Sequence, residues 1–404
     1  MSSQLAEPRP PLARVLANAA ARPAFGSRRD PDRVFDRMVA RTAGGEVGGG
    51  DEEFLDGFRF LLREWAAEPA LTPFGWQQAQ GHVKRHLANR ARVRRLFAEI
   101  PEIADEPVER PVFVVGLPRT ATTLTHAVLA LSERHRCPRM WELMAPGPEP
   151  TPGERRRALM AARATERIVN LLIPRFRDIH PVLAEGPEED TWALPHATQP
   201  LSQARIPAYR DWHLAHDFGP DYRYLKQIFQ LLQYGRPRRR WMLKSPMHLG
   251  QLDALRAVFP DATLVWTHRD PVTAVASFCS LVETGMAVSV SPRDPHAIGE
   301  DWLRLLGESM TRALRARAAM PADAIVDVPY SWLGTAPETG APKLYEAIGA
   351  DWTDAEAARL PGVVARPRGS VRHTYDLARY GLTREHVESV FADYNTLRAE
   401  VDRP

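Results

Sequence analysis

The chain has 404 residues but only two cysteines, Cys137 and Cys279, too far apart to form a metal-ligand spacing. Two reduced thiols in a cytoplasmic protein are therefore the expectation. Long apolar runs are missing as well, and no stretch reaches the roughly 20 residues needed to cross a bilayer. The opening MSSQLAEPRPPLARVLANAA has no apolar core followed by a cleavage site, which again favours a cytoplasmic location. There is little excess of charge of either sign. The net charge of +3 leaves no basic footprint of the kind that nucleic-acid binding requires. Internal repeats are absent, and low complexity is confined to GGEVGGG (44–50), which reads as a flexible joint. What remains is ordinary for a globular enzyme: 44% hydrophobic and 25% charged residues, enough for a sizeable core.

Two regions differ in character. Residues 1–107 read as an N-terminal helical extension packing on the core. In EEFLDGFRFLLREW (52–65) the apolar residues Phe54, Leu55, Phe58, Leu61, Leu62 and Trp65 recur at helical spacing. The following segment, 75–100, carries a long basic face expected to be solvated. From 108 to 404 the pattern is α/β. PVFVVG is a short valine-rich run suited to a buried parallel strand, and it passes through a tight loop into the helix TTLTHAVLALS. A second unit at 240–284 reads strand RWMLK, helix, strand ATLVWTHRD, helix, with Pro271 near the favoured first-turn position. A further strand is expected at 324–330 and helices at 376–400. Such β-α-β-α order predicts a central parallel sheet flanked by helices, with right-handed crossovers. A helical insert, about 140–240, separates the two units, with helices expected at 154–173, 188–194 and 222–234. It is modestly rich in aromatics, which suits either an apolar acceptor pocket or a structural core.

The loop at 116–123, GLPRTATT, resembles the phosphate loop G-x-x-x-x-G-K-[ST] with its lysine missing. Thr122 stands in the lysine position and Ala121 replaces the second glycine. A strand–loop–helix unit still offers backbone N–H groups and a positive helix end to an anion. Thr120, Thr122 and Thr123 can add hydroxyl donors. Arg119 puts a permanent forked cation on the loop. If position 121 needed positive φ, alanine would be strained, so a helical φ is expected there. Loss of the lysine argues against magnesium–nucleoside triphosphate chemistry. Asp270, before Pro271, is a weaker metal candidate than helix N-cap.

Together these segments resemble the sulfotransferase family, particularly its bacterial branch. VFVVGLPRTATTLTH is similar to that family's 5′-phosphosulfate loop, and WMLKSPMHL (241–249) to its lysine-bearing second strand. LVWTHRDPVTAVAS (264–277) is similar to the 3′-phosphate motif, in which an arginine is followed eight residues later by a serine. Arg269 and Ser277 have that spacing. VPYSWL (328–333) weakly resembles the segment whose tyrosine, here Tyr330, lies near the adenine.

The resemblance covers about 108–380. It implies a P-loop-NTPase-like fold and 3′-phosphoadenosine 5′-phosphosulfate as cosubstrate, without a metal. Pro118, Arg119, Thr120, Ala121, Thr122 and Thr123 would cradle the 5′ side. Arg269, Ser277 and Tyr330 would hold the 3′-phosphate and the base. Arg119 and Lys244 would stabilise charge on the transferred sulfonate.

The general base for a small-molecule hydroxyl acceptor stays open between Glu142 and Glu189, with His248 third. Glu188 and Glu189 lie together before an expected helix, which their carboxylates could equally cap, and His126 is expected as a packed residue of the site wall. Two other readings of the loop are a P-loop small-molecule kinase and a non-catalytic binding protein with a degenerate loop. Neither the acceptor's identity nor the oligomeric state is legible.

Overall fold

The structure, a computed structural model, describes residues 10–42, 51–365 and 376–403. The glycine-rich joint expected at 44–50 lies outside them. Four helices come first: α1 (Leu12–Ala21), α2 (Pro31–Arg41), α3 (Glu52–Ala67) and α4 (Pro73–Glu99). The α/β unit then opens with β1 (Val112–Gly116) and α5 (Thr122–Leu129), followed by a short β2 (His135–Arg136). The insert supplies α6 (Met140–Met144), α7 (Pro152–Leu172), α8 (Phe176–Ile179), α9 (Pro207–Ala215) and α10 (Gly219–Gln233).

After the insert the chain resumes with β3 (Arg240–Lys244), α11 (Leu252–Val258), β4 (Thr263–His268), α12 (Pro271–Met286), α13 (Pro295–Ala318) and β5 (Ile325–Pro329). Helices α14 (Tyr330–Gly334), α15 (Pro337–Ala347), α16 (Asp354–Val364), α17 (Arg384–Val390) and α18 (Ala392–Val401) close it.

All five strands are parallel, in the order β2-β3-β1-β4-β5. The expected α/β sheet is therefore present, and β1 sits at its centre. Its register sets Val114 opposite Lys244 on one side and Gly116 opposite Thr267 on the other. From β1 the chain passes to β2 on one side, whereas from its neighbour β4 it passes to β5 on the other, so the carboxyl ends of β1 and β4 form a topological switch point. Although PVFVVG has no polar alternation, its side chains still alternate in direction. Phe113 and Val115 join the larger core, while Val112 and Val114 join a smaller one with Met242, Val265 and Leu344.

The larger core is continuous from the N-terminal helices to the sheet. Phe58, Leu61, Leu62 and Trp65 on α3 belong to the same buried cluster as Phe113 and Trp266. At the start of α4 the contact is backbone to backbone. A Cβ on Gly75 would lie 2.3 Å from the Ser289 carbonyl oxygen, so only glycine permits this approach.

Two expectations are corrected, and one open alternative is decided. The basic face of α4 is only partly solvated: Arg90 and Arg94 both pair with the buried Asp51, and Arg85 lies 5.2 Å above the Trp192 ring. Burial pushes Arg85 down to about 10. The helix expected at 188–194 is a single 3-10 turn, Asp190–Trp192. Its start is held extended by a bridge between Pro187 and Arg139 and by the Glu188 N–H to the Pro138 carbonyl, and Pro195 follows. The aromatics of the insert are mostly core. Tyr209, Phe218, Tyr222, Tyr224 and Phe229 are all buried in the main cluster.

Buried histidines are numerous where the N-terminal helices meet the insert. His82 and His86 sit well below the ordinary histidine value because burial opposes their charging, and the same cause brings His213 to about 3. Beneath the loop, burial brings His126 to about 4. Each folded-state value is depressed, so each group contributes stability that is complete above pH 6.5 and lost as pH falls toward the folded-state value. Glu188, raised to about 7 by burial, and Glu64, also raised by burial, act in the opposite direction but are outnumbered by these histidines. Urea unfolding should show stability falling steeply between pH 6.5 and about 4. A flat profile from pH 7.5 to 5 would contradict this assignment.

Candidate active site

The loop that leaves β1 turns twice through left-handed backbone. Arg119 has φ of 70° and Ala121 has φ of 75°. The helical angle expected at Ala121 is thus corrected. The turn needs positive φ because residues of opposite hand must alternate to direct successive N–H groups to one side, a concavity suited to anions. Alanine adopts it at a cost of about 1–2 kcal/mol. Gly116 is fixed more severely. Its φ is 140°, and a Cβ there would meet both the carbonyl and hydroxyl oxygens of Thr267 at 2.6 Å. Helix α5 then starts at Thr122 with no side-chain cap, which leaves its first N–H groups without intrahelical partners.

Thr120 does not face outward. Its hydroxyl donates to the Leu117 carbonyl at 2.7 Å and lies 2.6 Å from the Thr267 hydroxyl, so it ties the loop to β4. Thr123 lies 3.5 Å from the Lys244 ammonium. His126 is bonded to the Met242 carbonyl at 2.9 Å, a packed residue as its position suggested.

Around this loop three motifs converge. The Arg119 guanidinium donates to the Ser277 hydroxyl at 3.1 Å and to the Ile179 carbonyl at 2.9 Å. Arg269, just past β4, donates to the Arg119 carbonyl at 2.8 Å and stacks 4.2 Å above the Tyr330 ring. The backbone N–H of Arg269 is held by the Tyr394 hydroxyl of α18 at 3.3 Å, a residue the sequence did not single out. Asp270 caps α12 through the N–H groups of Val272 and Thr273, as anticipated.

At the end of β3, the buried Lys244 ammonium pairs with Glu189 at 2.6 Å. Ser245 lies 3.4 Å from the other Glu189 oxygen. Burial pushes the Glu189 carboxyl up, but Lys244 and His180 outweigh it and hold it below its ordinary value. Glu188 turns inward, with its carboxylate on the Glu189 N–H. His180, at the end of α8, was also missed from sequence. Burial brings it to about 4, with Glu189 opposing and Lys244 and Arg119 adding to the shift. It has no motif around it, and only the folding back of the insert sets it among these charges.

The other two base candidates have different surroundings. Glu142 caps α6 through the Arg139 N–H at 3.0 Å and pairs with Arg136 at 2.9 Å, which engages both oxygens. His248 is fully buried in a chain in which the Tyr222 hydroxyl donates to Nδ1 and Nε2 faces Asp190, each at 2.7 Å.

Among the described residues one group could hold a metal ion: His196, His216 and Asp221, with ligand atoms within 4.8 Å of one another. Asp221 already accepts from both imidazoles at 2.9 Å. The group belongs to the core between the insert and α3, with Phe54 and Phe58 beside His196.

Comparison with known proteins gives one consistent picture. The model of the sulfotransferase family matches residues 111–354. The crystal structure of sulfotransferase STF1 from Mycobacterium tuberculosis H37Rv is 28% identical, with a TM-score of 0.78 over 90% of this chain and 98% of that one. That of STF9 from Mycobacterium avium is 28% identical, with a TM-score of 0.80 over 91% and 96%. Among curated sequences, omega-hydroxy-beta-dihydromenaquinone-9 sulfotransferase Stf3 of M. bovis and M. tuberculosis is 28% identical over 179 residues, or 41% of this chain. The match spans only 44% of that relative's length.

The strain at Ala121 is directly measurable. Ala121→Gly should relieve the left-handed alanine and, after the larger unfolded-state entropy of glycine, raise unfolding free energy by about 0.5–1 kcal/mol. A decrease in urea midpoint would show that the alanine side chain, not the backbone angle, matters there.

Proposed function

Because the chain belongs to the sulfotransferase family, we propose that it transfers a sulfonate group from 3′-phosphoadenosine 5′-phosphosulfate to a hydroxyl of a small, largely apolar acceptor. The observation that carries this reading is the joining of Arg119, Ser277, Arg269 and Tyr330 at the mouth of an open anion-binding turn. An arginine with a serine one motif away suits a 3′-phosphate, and a tyrosine ring stacked on that arginine suits a neighbouring base. The loop N–H groups and the end of α5 suit the 5′-phosphate.

In the reaction the acceptor oxygen forms a new bond to sulfur while the bond from sulfur to the bridging phosphate oxygen breaks. Negative charge grows on that leaving oxygen, and Arg119 and Lys244 are the cations available to it. The acceptor proton goes to a carboxylate, and Glu189 is the favoured one. It is ionised and touches Lys244, whereas Glu142 and His248 are each held by other partners. When Lys244 turns toward the sulfonate, Glu189 loses its counter-ion and becomes a stronger base. The acceptor class is drawn from the Stf3 relative, whose name specifies a menaquinone bearing a hydroxyl.

Calorimetry with adenosine 3′,5′-bisphosphate tests the donor assignment. Binding at micromolar concentration is expected, and Arg269→Ala should weaken it by about 1.5–3 kcal/mol, the worth of hydrogen bonds to a charged group. No binding by the unmodified chain would remove the donor from consideration.

Glu189→Gln should lower kcat by roughly 10²–10⁴, the usual contribution of a general base. Bisphosphate affinity should stay close to that of the parent, while the melting temperature should fall, because the buried Lys244 ammonium loses its counter-ion. An unchanged kcat would transfer the role to another group.

A further inference from the structure

Eight large apolar side chains are exposed among the described residues, and seven of them lie on α1, on α7 or shortly after it in the chain. Leu12, Val15 and Leu16 form a stripe on α1, with exposures from 49% (Val15) to 72% (Leu12). Met160, Ile168 and Leu171 form a second stripe on α7, with Ala164 between them at the same helical spacing. Leu183 follows shortly after. The two helices are joined. Arg14 donates to the Leu172 carbonyl at 3.0 Å, and Ala13 and Ala17 of α1 pack into the cluster of Leu172 and Ile173.

These stripes have a basic border. Between residues 152 and 180 there are seven arginines against three acidic side chains, and between 10 and 29 there are four arginines and no acid. Arg156 and Arg167 flank the α7 stripe on one side and are exposed. No ion pair of Arg156, Arg167, Arg175 or Arg177 occurs among the described residues. An apolar stripe with an arginine border is the pattern of a helix that lies in the plane of a membrane interface. No described helix is long and apolar enough to cross one.

The position of the patch gives it a use. From the end of α7 the chain runs through α8 to Ile179, whose carbonyl accepts from Arg119, and to His180 among the charges of Glu189 and Lys244. The apolar surface and the reacting groups are thus joined by a few residues of the insert. We propose that the paired faces of α1 and α7 dock the protein on the surface of an anionic lipid bilayer, so that an apolar acceptor reaches the site from the membrane. A second copy of the chain is a poorer occupant. Two-fold pairing of this face on itself would bring its arginine borders together. The acceptor's route rests on the sulfotransferase reading, whereas the docking itself does not.

The test is co-sedimentation of the full chain, without donor, with vesicles of phosphatidylcholine alone or mixed with phosphatidylglycerol. The chain should sediment with the anionic vesicles, weakly with the neutral ones, and less as salt rises. Ile168→Glu/Leu171→Glu should weaken that binding at least about tenfold, since two apolar side chains no longer enter the interface. Arg156→Glu/Arg167→Glu should remove the preference for the anionic lipid. Both pairs are exposed, so melting temperature and turnover of a water-soluble alcohol should be unchanged.

Failure of the parent chain to bind anionic vesicles would overturn the proposal, as would binding unaffected by either pair. A concentration-dependent dimer that dissociates in Ile168→Glu/Leu171→Glu, with no vesicle binding, would assign the face to self-association and also overturn it. If vesicle binding behaves as expected while sulfonate transfer is absent, the proposed function fails and the docking surface stands.

Discussion

The parallel pairing of β1 on both of its edges is the constraint on which the site depends. Five residues are in register with β4 and three with β3, so Thr267 lies opposite Gly116 and Lys244 opposite Val114 near the carboxyl ends of the three strands. That register sets Lys244 and Thr267 on opposite sides of the end of β1. The hydroxyl of Thr267 then meets Thr120, and its carbonyl fills the space a Cβ on Gly116 would need. A slip of one residue would turn Phe113 and Val115 out of the larger core, so the burial of these side chains is what prevents it.

On this base the loop is held in a strained form. Left-handed backbone at Arg119 and Ala121 is not what these residue types choose, and it persists because the surroundings fix both ends. Arg269 holds the Arg119 carbonyl, Ser277 and Ile179 hold its guanidinium, and Thr120 is anchored below. The arginines therefore position the loop as well as presenting charge. Arg269 is itself positioned by Tyr394 at the far end of the chain and by the Tyr330 ring. The insert contributes on the opposite side, where Glu189 meets Lys244 and the Ile179 carbonyl meets Arg119. The loop, the end of β3 and the insert are thus linked by direct hydrogen bonds.

The large groove of about 1140 Å³ between α9, α13 and the C-terminal residues contains none of the anticipated site residues. Chemistry locates this site better than size. A turn rich in unpartnered N–H groups, two guanidiniums and a lysine–carboxylate pair are what an anionic donor needs, and they need not enclose a large volume.

The residues themselves determined a good deal. The valine-rich run before a glycine, the loop with its threonines, and the arginine and serine eight residues apart pointed to the sheet and the family, because these are local patterns with local causes. The N-cap role of Asp270 and the packed role of His126 were legible for the same reason. Tertiary structure decided what depended on distant partners. Sequence left Glu142 and Glu189 close together and His248 third, but of these only Glu189 meets Lys244, because the insert folds back over β3. Glu142 was claimed by an arginine and a helix end, and His248 by Tyr222 and Asp190. His180 and Tyr394 carried no motif at all. The left-handed angle at Ala121 contradicted local preference because the pull of the loop's long-range hydrogen bonds exceeded the 1–2 kcal/mol, roughly, that alanine resists it with.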